Sequence, residues 1–125
     1  MMVYRWQNAQ GLGPYVGGQL SNIFWESCGE YHGKETGRPT PDDEGTNYHG
    51  ERLRSCGDVL FGFASLEQES RWFKEKEKSI MRQRGFELVK YEVDEDYTHT
   101  STTQCMFVIK HARRVDDWSV GQEVR

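Results

Sequence analysis

From Phe61 to Val93 the apolar positions change their period twice. Phe61-Gly-Phe63 and Phe86-Glu-Leu-Val-Lys-Tyr-Glu-Val93 are rich in aromatic and β-branched residues, the composition of strands. Between them Leu66, Phe73, Ile80 and Met81 recur at helical spacing, with Trp72 beside the stripe. Ser65-Leu-Glu-Gln68 has the form of a capping box at the start of that helix, and Gly85 is placed to end it. The pattern predicts strand 59–64, one helix from Leu66 to about Arg84, and strand 86–93.

The same reading extends outward. Met2-Val-Tyr-Arg-Trp6 predicts a first strand with Tyr4 and Trp6 on one face and Val3 and Arg5 on the other. Gln10-Gly-Leu-Gly-Pro14 predicts a turn, and Leu20, Ile23 and Phe24 a short helix over 19–28 stopped by Gly29. Gln104–Lys110 predicts a fourth strand whose continuous apolar run places it centrally, buried on both faces. An exposed acidic and threonine-rich connection, 94–103, precedes it, and the tail 116–125 frays unless Trp118 pins it. The sum is a single α+β domain over 1–125, a mainly antiparallel sheet with one long helix packed across it.

Residues 29–57 fit no element. Their large apolar or aromatic residues are Tyr31, Tyr48 and Leu53, and Arg-Pro-Thr-Pro-Asp-Asp-Glu-Gly is turn chemistry throughout. A polar loop of this length inside a compact domain is uncommon, and such loops often carry function. Tyr31, Tyr48 and His49 are its candidate partner-binding anchors, since aromatic groups give large contact area at small entropic cost.

Composition bounds the function classes. Hydrophobic content of 35% is low, but sixteen aromatics (four Trp, six Tyr, six Phe) supply area for a small core. A net charge of −4 argues against general nucleic-acid binding. The six basic residues of Arg71–Arg84, opposed by Glu75 and Glu77, read as a solvated helix face. Three cysteines and no apolar leader favour a reducing cytoplasm, and no run is long enough to span a membrane. Cys105, inside an apolar run, reads as a core residue.

Motifs for chemistry are sparse. Gly11–Gly18 lacks the spacing of a dinucleotide fingerprint, and Pro14 removes a donor that a phosphate would need. Cys28, His32, His49 and Cys56 bracket the long loop with four zinc-ligating types at spacings unlike common fingers; no metal site is assigned to them. Acidic residues fall on helix and loop positions that read as exposed, and no catalytic residue is assigned. Arg5, Phe63, Ser65 and Gln104, at strand ends around one sheet cleft, form a candidate ligand-binding set for an anionic or nucleotide ligand.

Two resemblances follow. Tyr4-Arg5, Phe63-Ala-Ser-Leu-Glu67, Tyr91-Glu-Val93 and Gln104-Cys-Met-Phe-Val108 resemble the strand order of small ADP-ribosyltransferase-like domains. That likeness implies NAD as ligand, held by Arg5, with Phe63–Ser65 lining the nicotinamide and Gln104 in the place of a catalytic Glu. The chain more closely resembles short phage and prophage proteins, through its Val-Tyr-Arg start, Gly-Pro-Tyr turn, Pro-x-Pro loop and Gly-Phe-Ala-Ser-Leu-Glu…Trp-Phe block. This implies an accessory protein in the host cytoplasm, acting by binding and inhibiting a host, or host-defence, protein. The leading reading gives it an ADP-ribosyltransferase-like fold whose catalysis is lost or never present, with enzymatic activity left open. An NAD- or nucleotide-processing enzyme and a zinc-stabilised interaction module are the alternatives.

Overall fold

The structure is a computed structural model that describes residues 1–15 and 47–119. The helix expected over 19–28, Tyr31 and most of the 29–57 loop lie outside the described residues. Nine elements follow in order: β1 (Met2–Gln7), α1 (Asn47–Arg54), β2 (Val59–Gly62), α2 (Leu66–Trp72), α3 (Glu75–Gln83), β3 (Glu87–Val93), β4 (Thr98–Thr100), β5 (Cys105–Val108) and β6 (Ala112–Arg114). The fold is α+β, as its pattern indicated, but its strands form two antiparallel three-stranded sheets, β1-β3-β6 and β2-β5-β4.

An isolated bridge between Tyr4 and Phe63 joins the sheets, each residue's N–H donating to the other's carbonyl at 2.8 and 2.7 Å. The chains run so close there that a Cβ on Gly62 would lie 2.6 Å from the Tyr4 carbonyl oxygen. Val3, Val89, Tyr91 and Val93 of one sheet pack with Cys105 and Phe107 of the other, making an inter-sheet core. On the other face of β1, Trp6 packs with Phe63, Trp72, Phe73 and Met81 beneath α2 and α3. Strand alternation thus divides Val3 from Trp6 as its period of two requires. The central placement of β5 holds as well, with all four residues buried.

Three expectations are corrected. The long helix is two, because Phe73 and Lys74 adopt extended backbone (φ −110°, ψ 124° and φ −78°, ψ 160°). The break gives α3 its own N-terminus, where the Lys74 N–H donates to Glu77 Oε1 at 2.7 Å. The 29–57 region is not all loop, since 47–54 is helical: Leu53 is fully buried against Met106 and Val108, and that contact anchors α1 on β5. The 94–103 connection contains a strand, β4, paired to β5, with a short 3-10 turn at Glu95–Tyr97 before it.

The charged helix face is also not wholly solvated. Glu69, Glu77 and Lys78 are buried. Lys78 Nζ lies 3.1 Å from Glu69 Oε1, tying α3 to α2, while Trp6 Nε1 donates to Glu69 Oε2 at 3.1 Å. Arg71 and Glu67 form the ordinary exposed pair that the alternating pattern led one to expect. At the other end Trp118 lies 5.4 Å from the Tyr4 ring, with Lys90 Nζ over both rings, so this tryptophan does pin the tail as far as it is described.

Candidate binding surface at the Arg5 end of the sheets

β1 carries two polar positions toward its C-terminal end, Arg5 and Gln7, and their neighbours define the site. Val3, Arg5 and Gln7 alternate onto the inter-sheet face, opposite Tyr91, Val89 and Glu87 of β3. The first is core and the next two are buried polar residues. The Tyr91 hydroxyl donates to Gln7 Oε1 at 2.9 Å, so the apolar core becomes a hydrogen-bonded rim at this end.

Beyond Gln7 the chain folds back in a turn built on Asn8. Its Oδ1 accepts from the N–H groups of Gln10 and Leu12 at 2.9 and 3.0 Å, the local bonding that makes Asn a turn former. Gly11 follows with φ +80°, a conformation that favours glycine. The turn is held to β2 by Arg5, whose Nη1 donates to the Phe61 carbonyl at 2.7 Å and Nη2 to the Gly11 carbonyl at 3.2 Å. Gly13 leaves room for this guanidinium: a Cβ there would sit 3.2 Å from Nη2.

The Arg5 side chain is 7% exposed, and its Nε–H has no hydrogen-bond partner. Burial lowers its pKa, and the electrostatic influence of the Tyr91 hydroxyl works weakly the other way. Among the described residues no carboxylate pairs with it. Glu87, opposite Gln7 on the same face, is engaged by Arg114 Nη2 at 2.9 Å. The site is therefore a buried cation satisfied by two backbone carbonyls alone.

Besides Met2, the exposed large hydrophobic residues among those described are Leu12 (46%), Tyr15 (40%) and Phe61 (36%). Leu12 follows Gly11 in the turn, and the backbone carbonyl of Phe61 is the second partner of the Arg5 guanidinium. Tyr15 stacks on Phe73 with ring centroids 6.2 Å apart, and its hydroxyl accepts from Trp72 Nε1 at 2.6 Å. Pattern reading missed these three because a single apolar residue in a turn or a short strand carries no periodicity.

The residues singled out in the sequence are placed as follows. The Gly62–Cys105 pair of the β2–β5 register puts Phe63 and Gln104 side by side, and the bridge puts Tyr4 beside Phe63. Phe63 contributes its ring to the helix-covered core, 5.8 Å from Trp72 and 6.1 Å from Phe73. Ser65 is the N-cap of α2, its Oγ accepting from the Gln68 N–H at 3.1 Å. Gln68 completes the cap by accepting from the Ala64 N–H, and its Nε2 donates to the carbonyls of Ser101 and Thr102. Gln104 is buried in the same corner, its carbonyl accepting from the N–H and Oγ of Ser101 at 2.8 and 3.0 Å. Phe63, Ser65 and Gln104 thus come together, while Arg5 turns onto the opposite face.

Tyr48 and His49 lie on α1. Of the zinc-type quartet, Cys28 and His32 lie outside the described residues, and Cys56 is half-buried with its thiol 3.7 Å from the Arg52 carbonyl. Among the described residues no cluster of three or more metal-ligating side chains occurs, and no helix is long and apolar enough to cross a membrane.

A small α+β phage protein is the class these features and their comparison define. The model of the bacteriophage T4 Y00F protein family matches residues 1–121, and the chain belongs to that family. No curated protein and no solved structure matches the chain.

Proposed function

We propose that this phage protein works by binding a host protein and inhibiting it, with a host-defence component the favoured class of target. Membership of a phage family supports an accessory role. The observation that carries the binding reading is the exposure of three large apolar residues, Leu12, Tyr15 and Phe61. Where such groups adjoin, they form the apolar patches that mark protein-binding sites. Tyr31, Tyr48 and His49 are the aromatic anchors this reading adds.

Quantitative capture of host proteins from the natural host's lysate tests it, comparing the wild type with Leu12→Ser/Phe61→Ser and with Tyr48→Ala/His49→Ala. A specific host protein enriched by the wild type and lost from both variants at unchanged melting temperature is the expected result. Variants that retain every enriched protein overturn the surface assignment.

A nucleotide-binding reading draws on one observation, that Phe63 is bridged to Tyr4 just past the Gly62–Cys105 pair that Gln104 adjoins. Calorimetric titration with NAD tests it directly. Saturable heat that Gln104→Ala abolishes supports it, and no heat at millimolar NAD removes it.

A further inference from the structure

Buried charge is costly unless an opposite charge or a full set of hydrogen bonds compensates it. Arg5 has neither. Two of its N–H groups are spent on neutral carbonyls, its Nε–H on nothing, and the carboxylate nearest along the sheet register, Glu87, is held by Arg114. We propose that the Arg5 guanidinium receives a carboxylate of the partner protein through its unpartnered Nε–H, beside the Gly11 turn. This rests on the host-binding reading and gives it a recognition chemistry.

The geometry favours this occupant on three counts. First, the Nε–H and the neighbouring Nη form the side of the guanidinium that a carboxylate engages with two parallel hydrogen bonds. Second, the contact that must yield is the weaker one: Nη2 to the Gly11 carbonyl is 3.2 Å, against 2.7 Å to Phe61. It belongs to a surface turn whose neighbours Gln10 and Leu12 are exposed. Third, the site offers one cation, so a singly charged carboxylate is neutralised there while a phosphate dianion would retain a charge.

The test follows the Arg5 Nε–H by proton–nitrogen correlation NMR of the intact wild-type protein. Three probes are added at matched ionic strength: N-acetyl-leucine, its uncharged analogue N-acetyl-leucinamide, and inorganic phosphate. The expected result is a saturable shift of the Arg5 Nε–H signal with N-acetyl-leucine, binding about tenfold or more tighter than the amide, the margin of one charge-assisted hydrogen bond. Phosphate should move the signal less than the carboxylate does. Equal binding of acid and amide, or a signal that only phosphate moves, overturns the carboxylate assignment. A signal that no probe moves shows Arg5 to be a purely structural clip, while lysate capture judges the host-binding reading separately.

Discussion

Ser65 shows how much one side chain can settle. A serine placed three residues before Gln68 reads as a cap from the sequence, and its Oγ does accept from the Gln68 N–H. Ser65→Ala is expected to cost about 0.5–2 kcal/mol in urea unfolding, with Ser65→Asp nearly neutral because Asp caps equally well. Lys78 is the opposite case, a residue that reads as solvent-facing and instead meets Glu69 in the interior. Lys78→Met should cost about 3–5 kcal/mol, because it strands a buried carboxylate. Adding Glu69→Leu should restore part of that loss, and a double-mutant cycle with no coupling would show the pair to be energetically idle. Cys105 gives a pH signature. Burial pushes its thiol pKa from 9.0 up to about 11. Between those values the unfolded thiol loses its proton while the folded one keeps it, so stability falls as pH rises. The slope from this group approaches about 1.4 kcal/mol per pH unit at most. Comparing urea unfolding at pH 8 and pH 10 should show a larger loss in the wild type than in Cys105→Ala.

At the scale of elements, α2 and α3 are informative because their apolar stripe was legible and their break was not. Phe73 and Met81 both pack against Trp6 and Phe63 as the stripe indicated, although Phe73 lies at the break and not on a helix. No proline or glycine lies at residues 73 and 74; the local feature there is the Glu77 side chain, which accepts from the Lys74 N–H and caps the second helix. Phe73→Ala should cost about 3–5 kcal/mol, and a loss below about 1 kcal/mol would mean the aromatic cluster does not bear on stability. Gly62 marks the seam between the sheets. Gly62→Ala places a methyl group against the Tyr4 carbonyl and Val3, and should destabilise by about 1–3 kcal/mol. The same variant should weaken amide protection at Tyr4 and Phe63 first, since their paired hydrogen bonds span that seam.

For the whole molecule, the sequence by itself determined the α+β class, four of the strands, the capped start of α2 and the central burial of β5. Each of these rests on local patterns: alternation, helical spacing, a cap and an unbroken apolar run. Only the tertiary structure decided that the strands divide into two sheets around Val3, Tyr91, Cys105 and Phe107. It alone decided that Leu53 anchors a helix in a stretch of turn-forming composition, and that Glu69 and Lys78 are partners inside. It also decided that Arg5 is buried against backbone carbonyls of two separate segments, at Gly11 and Phe61. The physical reason is one of range. Period and capping act over a few residues and are written where they act, whereas sheet pairing, burial of charge and surface clustering depend on which distant segments meet.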